Sequence, residues 1–370
     1  MKTMKHLFLA GLALVALASC SRDETTGVDM TDAIGFRTSL GKATRAATTL
    51  ANMGSFNVTA VPASGGANYF TDLAVTDGGG GTWNTASVYY WPEGSLNFTA
   101  YAPASISSLV AIDRTAQKIT GFEVAATVAS QKDVVAAFNS GGKADYGTSG
   151  VPMNFKHILS QVEVKAKCSN ANLRVQVVGV KLGAINSKGD FAFPQTATVS
   201  SYSVPRANWT GLSTPKDYGV ETGAAVTLTG AAQRIMPGDD NFMMIPQDLE
   251  AYNASSAPSG SYIAVLCRMD MDNGSGNYTP LYPTAATGYA YMAVGIGTEW
   301  LPGKKYVYTL EFGGATGGGN GVVPPNQDNP GGTTVPTTPS VPPGTPVLGS
   351  PIGFTVAMDN WSDDTSGITM

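Results

Sequence analysis

Few side chains here could do covalent chemistry, and their spacing arms none of them for catalysis. The 370 residues include two histidines and three cysteines. His6 falls in an apolar leader, so any Ser-His-Asp or Cys-His arrangement would have to use His157, in Phe155-Lys156-His157-Ile158. No nucleophile motif surrounds it, and it reads as a structural residue. Metal centres of the Cys/His type need several ligands at short spacings, so no metal site is expected. Met269-Asp270-Met271-Asp272-Asn273-Gly274 has acids at alternate positions, as a calcium loop does. Gly274 comes one place early for that loop, however, and Asn273-Gly274 is a hairpin-turn pair. Gly78 to Gly81 lacks the Lys and the following Ser/Thr of a phosphate loop. Scattered Asp and Glu leave a glycosidase-like carboxylate pair open, but none is singled out by its context. Tyr89-Tyr90-Trp91 could stack on sugars or mark a strand entering a core, and core is the favoured reading for Trp91. Trp83, Trp209 and Trp361 fit an adhesive contact or a packing plug equally well. The chain does not read as an enzyme, and no cofactor is expected.

The one cysteine placed for chemistry is Cys20. Lys2 and Lys5 precede an apolar run, Leu7 to Leu17, too short to span a bilayer but right for a signal-peptide core. The run ends in Leu17-Ala18-Ser19-Cys20. Small residues before a Cys are what lipoprotein signal peptidase accepts, and the thiol is then acylated. Outer-membrane lipid becomes a partner, each buried CH₂ contributing ~0.8 kcal/mol. The alternative is an ordinary signal peptide that happens to contain a Cys. Cys168 and Cys267 remain, and they could form a disulfide or stay as thiols, since two residues carry no framework signature. Setting Lys2 and Lys5 aside leaves 20 basic residues against 27 acidic ones, a net charge near −7. With no basic stripe, nucleic acid is not an expected partner.

The elements that position these residues are short strands. Charged residues are only 13% of the chain, which carries 44 Gly and 22 Pro, a composition of strands and turns. Phe56, Val58 and Ala60 alternate with Asn57 and Thr59; Leu96, Phe98 and Ala100 with Asn97 and Thr99. Val162, Val164 and Ala166 alternate with Glu163, Lys165 and Lys167; Leu173, Val175 and Val177 with Arg174 and Gln176. Period-two alternation puts one face on a core and the other toward water. Turn clusters are expected at Gly78 to Gly81, Gly141-Gly142, Ser187-Lys188-Gly189-Asp190 and Asp272-Asn273-Gly274. The expected class is all-β, with two β-sandwich domains, 46–157 and 158–312, meeting near Asn154 to Ser160.

Residues 313–351 break the pattern. They hold nine of the Pro, ten Gly and one charged residue, Asp328, and are expected to form an extended tether. Strand patterning resumes in 352–370, where Ile352, Phe354, Val356 and Met358 alternate with Gly353, Thr355, Ala357 and Asp359. Burying those four would contribute on the order of 6–12 kcal/mol as an upper bound.

Several stretches together resemble the fimbrillin family of Bacteroidetes surface lipoproteins. They are Trp91-Pro92-Glu93-Gly94-Ser95-Leu96-Asn97-Phe98-Thr99-Ala100-Tyr101, Asp133-Val134-Val135-Ala136-Ala137 and Val151-Pro152-Met153-Asn154-Phe155-Lys156-His157-Ile158-Leu159-Ser160, then Met243-Met244-Ile245-Pro246-Gln247 and Trp300-Leu301-Pro302-Gly303-Lys304-Lys305-Tyr306-Val307-Tyr308. The Ser21-Arg22-Asp23-Glu24 run also resembles the export signal of that phylum's surface lipoproteins. The resemblance implies two tandem transthyretin-like (Greek-key) sandwiches and export as a lipoprotein to the outer face of the outer membrane. It also implies assembly into a surface fimbria with other subunits by strand exchange, and adhesion to a host or bacterial surface ligand. In that scheme an Arg-specific protease removes a propeptide, here 21–45, by cutting between Arg45 and Ala46. The propeptide carries a displaceable strand, Ile34 to Leu40, with Ile34, Phe36 and Leu40 facing the core. The long Pro/Gly segment departs from a compact stalk subunit and favours a tip or accessory one.

The two terminal strands support exchange independently. Ile34-Gly35-Phe36-Arg37-Thr38-Ser39-Leu40 and Ile352-Gly353-Phe354-Thr355-Val356-Ala357-Met358 both place Ile, Phe and a long apolar residue on one face. Strands competing for one groove should match in this way, because alternate side chains fill the same pockets. Ile352, Phe354, Val356 and Met358 are therefore the expected donor face. The competing reading is a glycan-binding surface lipoprotein of a polysaccharide-uptake system, which would keep Cys20 acylated.

Overall fold

The structure, a computed structural model, describes residues 32–40, 48, 50–195, 204–238, 241–254, 259–314, 321–347 and 353–360. Strands dominate, and they form two β-sandwich units. The first contains β1 (Phe36–Leu40), β2 (Ser55–Pro62), β3 (Phe70–Gly79), β4 (Thr82–Thr85) and β5 (Leu96–Ala102). Next in the chain come β6 (Val110–Ile112) and β7 (Gln117–Glu123), which join the second unit's sheet, then β8 (Val135–Gly141) and β9 (Val151–His157) of the first. The second unit holds β10 (Ser160–Cys168), β11 (Leu173–Ala192), β12 (Trp209–Thr227), β13 (Gln233–Arg234) and β14 (Phe242–Met244). It is completed by β15 (Tyr262–Asp272), β16 (Tyr278–Tyr282), β17 (Ala290–Gly295), β18 (Lys304–Phe312) and β19 (Gly353–Asn360).

In the first unit the sheet order is β1-β9-β8-β5-β2-β3-β4. β8 and β9 share only the pairs Val135↔His157 and Ala136↔Lys156. The sheet parts beyond them, and β9 with β1 folds back over β2 and β5. Phe155 packs 5.1 Å from Phe56, and Phe36 lies 6.0 Å from both Phe56 and Phe98. Edge-on aromatic packing of this kind closes the seam with apolar surface and little void.

The second unit stacks two sheets. One runs β13-β10-β18-β19, with β14 also on β10; the other runs β16-β15-β11-β7-β6, with β12 on β11 and β17 on β15. Alternate residues Val162, Val164 and Ala166 of β10 meet Val175 and Val177 of β11 in one core with Trp300 and Tyr308. The same period-two rule therefore builds both units.

Three features depart from the sequence reading. The hairpin β6–β7 lies inside the range assigned to the first domain but pairs with β11 of the second unit, Glu123 opposite Lys188. Ser187-Lys188-Gly189-Asp190 is not a turn: it continues β11, with register shifts against both neighbours between residues 188 and 191. A Cβ on Gly189 would come within 2.8 Å of the Leu212 side chain, so the glycine marks a bulge where a neighbour approaches closely, a use the turn signal does not separate from a turn. Finally, the described part of the expected tether, 321–347, is packed against the second unit, with Val323 and Val347 buried in its core.

Candidate functional site

The three segments that close the sandwiches late or early in the chain are β1, β19 and the 321–347 strap. β1 runs parallel to β9 in the register Phe36↔Val151 to Leu40↔Phe155. Ser39 Oγ donates to Asn154 Oδ1 at 2.5 Å. Just before β1, the Ile34 N–H donates to Tyr89 O at 2.8 Å and the Trp91 N–H to Asp32 O at 3.0 Å. The segment is thus gripped from both sides, by β9 and by the chain at 89–91. Ile34, Phe36 and Leu40 are all buried in the first core, as the alternation requires. Their burial contributes roughly 5–9 kcal/mol, an upper bound. Gly150 makes the entry possible: its φ is +78°, and a Cβ there would sit 3.3 Å from backbone atoms of Gly35 and Phe36.

β19 sits elsewhere. It pairs antiparallel with β18, Gly353↔Glu311 to Asn360↔Lys304, as the last strand of its sheet. Within this chain the two look-alike strands therefore occupy different edges of different units. Phe354 and Val356 pack partly against the second core, with the Phe354 ring 6.2 Å from Tyr308. Met358 does not share that face's burial; it is 55% exposed. An edge strand is covered along one side only, and Met358 lies at the uncovered end. Ile352 lies outside the described residues, as do Leu17, Ala18, Ser19, Cys20, Arg45 and Ala46.

The strap covers the outer face of the second unit, where Tyr252, Tyr262, Tyr291 and Ala293 form a separate apolar cluster with Val322 against it. Val322 exchanges backbone hydrogen bonds with Ala293. Beneath it lies Lys181, its side chain fully buried. Lys181 Nζ donates to Asn326 O and Asp328 O, both at 2.8 Å, sits 3.8 Å from Asp217 Oδ2 and 4.2 Å over the Tyr291 ring. Burial drives this ammonium down to about 8, with Asp217 pulling in the opposite direction. Asp217 in turn accepts from Asn326 Nδ2 at 2.8 Å and Tyr262 Oη at 3.1 Å.

A second clasp is Glu221. It accepts from the Thr334 N–H at 2.7 Å and Asn329 Nδ2 at 2.8 Å. Burial raises its carboxyl, but the N–H groups of Thr333 and Thr334 outweigh that and hold it at about 2. Because the folded value lies below the unbound 4.5, this contribution is complete above that pH and is lost as pH falls toward 2. Glu221→Gln should therefore flatten the acid limb of strap release, read as proteolysis of 321–347 between pH 5 and 2. An unchanged acid profile would show that the clasp does not hold the strap.

No sequence signal distinguished these clasps. Lys181 shares the parity of the core residues Val175 and Val177, but a bulge between Val177 and Gly179 turns it to the outer face, where the returning strap covers it. His157 is buried, with Nδ1 2.6 Å from Asp133 Oδ2, and Asp133 also accepts from the Thr48 N–H at 2.9 Å. Cys168 and Cys267 are buried free thiols on opposite sheets of the second unit. Trp209 is a core residue whose Nε1 donates to Ile158 O at 2.7 Å; Trp91 packs between Phe98 and Tyr146, and Trp83 against Phe56. Trp361 lies outside the described residues. Among the described residues no group of three or more His, Cys, Asp and Glu could hold a metal ion.

Two all-β sandwich units, each with a terminal strand at a sheet edge, define the architectural class of the chain. The model of the fimbrillin-like family matches residues 41–328, and the chain belongs to that family. Among solved structures, a fimbrial protein from Bacteroides vulgatus is similar at 13% identity and a TM-score of 0.57, covering 89% of this chain and 99% of its own. A candidate cell adhesion protein from Parabacteroides distasonis is similar at 11% identity and a TM-score of 0.46, covering 90% and 97%. No curated protein matches the chain.

Proposed function

We propose that this protein is a non-enzymatic structural subunit of a surface fimbria, exported as an outer-membrane lipoprotein through Cys20 and assembled by strand exchange. The observation that carries the reading is β1. It supplies three core side chains to the first unit, yet its only onward connection to that unit passes through Arg45-Ala46. Cleavage there frees a segment held only by non-covalent contacts (backbone pairing, apolar burial, the Ser39–Asn154 hydrogen bond and the Asp32–Lys143 ion pair), leaving a groove for a strand from another subunit. β19 has the features of a donor: it is a terminal edge strand with the same Ile-Gly-Phe start, one pairing neighbour and an exposed Met358. The long Pro/Gly strap, more than a compact stalk subunit would need, supports a tip or accessory place, and with it a role in adhesion.

Mass spectrometry of the native protein's N-terminus tests this. An N-terminus at Ala46 in fimbria-bound protein is the expected result. Protein found only with an acylated Cys20 would overturn assembly by cleavage and support a glycan-binding surface lipoprotein instead.

A further inference from the structure

The buried polar group under the strap does more than its surroundings require. A lysine, an aspartate and an asparagine meet on a face lined by Tyr262 and Tyr291, both fully buried. One oxygen, Asp217 Oδ2, lies 3.8 Å from Lys181 Nζ and 2.8 Å from Asn326 Nδ2. It therefore stands next to both a nitrogen able to lose a proton and a nitrogen able to take one up. The Asn326 Oδ1 accepts the Asp328 N–H at 2.8 Å, a donor aimed at the side-chain carbonyl. Lys181 Nζ is already held 2.8 Å from the backbone oxygen of Asn326 itself. The fully buried amine is held against the main chain of Asn326, and it and the Asn326 amide nitrogen both face one carboxylate oxygen. From this arrangement a short side-chain movement would bring the amine to the amide carbon and let positioning assist acyl transfer.

We propose that Lys181 and Asn326 condense to an intramolecular isopeptide bond, with Asp217 relaying the proton, so that the strap is covalently stitched to β11. The Nζ lone pair attacks Asn326 Cγ, and the C–N bond forms as the carbonyl π pair moves onto Oδ1, where the Asp328 N–H receives it. A proton leaves Nζ for Asp217 and passes on to Nδ2. The tetrahedral intermediate reforms its carbonyl, the Cγ–Nδ2 bond breaks and ammonia departs. Nothing is oxidised or reduced, and no co-reactant is consumed. Burial serves the first step, because it lowers the lysine's affinity for its proton. The consequence is mechanical: a load pulling on the C-terminal strand would be borne by a covalent tie at residue 326, not by the hydrogen bonds of the strap.

Tryptic digestion of the denatured full-length chain reads the bond directly. Acylated Lys181 is not cleaved, so peptide 175–188 should appear joined to peptide 306–370, lighter than their sum by one ammonia. Asp217→Asn should abolish the joined species and restore cleavage after Lys181. Complete cleavage after Lys181 in the wild-type chain, with an unmodified 306–370 peptide, would overturn the proposal whether or not any variant folds. A joined peptide persisting in Asp217→Asn would remove Asp217 from the reaction.

Discussion

Cutting the chain after Arg45 and stripping away β1 will lower the stability of the first unit by about 5–9 kcal/mol, the upper bound set by the burial of Ile34, Phe36 and Leu40. That loss is comparable with the whole stability of an ordinary domain, so the stripped unit should unfold at mild urea concentrations. The cause is an exposed seam in which Phe56 and Phe98 lose their partner Phe36 and β9 regains an open edge. A peptide of residues 33–41 should restore the urea midpoint. A peptide of residues 352–360 should restore it in part, if the shared Ile-Gly-Phe pattern reads the same pockets. Urea unfolding of stripped protein with and without each peptide is the measurement. An unchanged midpoint after stripping would mean that the first sandwich is closed without β1, and strand exchange at this groove would be excluded.

The second large effect is expected at Lys181. Before any bond to Asn326 forms, Lys181→Ala removes a buried cation while leaving the carbonyls of Asn326 and Asp328 and the Asp217 carboxylate behind. Breaking one side of a buried charged cluster costs about 3–5 kcal/mol, because the partners stay desolvated. The damage should be local first: the strap lifts, and Tyr262 and Tyr291 gain solvent. Limited proteolysis should cut 321–347 in Lys181→Ala under conditions that leave the wild-type strap intact, and urea unfolding should show the loss in midpoint. Equal protection in the two proteins would show that Val322, Val323 and Val347 hold the strap unaided. β19 follows the strap in the chain, so a lifted strap also frees the tether of the C-terminal strand.

The strands and the all-β class were determined by the sequence alone. Val162-Val164-Ala166 and Leu96-Phe98-Ala100 alternate with polar residues, and a two-residue period is a local property that any partner sheet will respect. The reversal near Asn273-Gly274 is equally local, though it is a five-residue loop between β15 and β16 with both Gly274 and Gly276 at positive φ, not a two-residue Asn-Gly turn. The buried face of β1 was legible for the same reason. The tertiary structure alone decided the rest. Whether Gly189 turns the chain or bulges a strand depends on Leu212 across the sheet. Lys181 has the parity of Val175 and Val177; a bulge after Val177 turns it outward, and it is buried because residues 145 and 147 positions further along return to cover it. A Pro/Gly segment with one charge has no period to read, so its docking rests on a few side chains, Val322, Val323, Asn326 and Asn329, that meet a prepared surface. Local spacing fixes which way a side chain points; only the folded chain fixes what stands opposite.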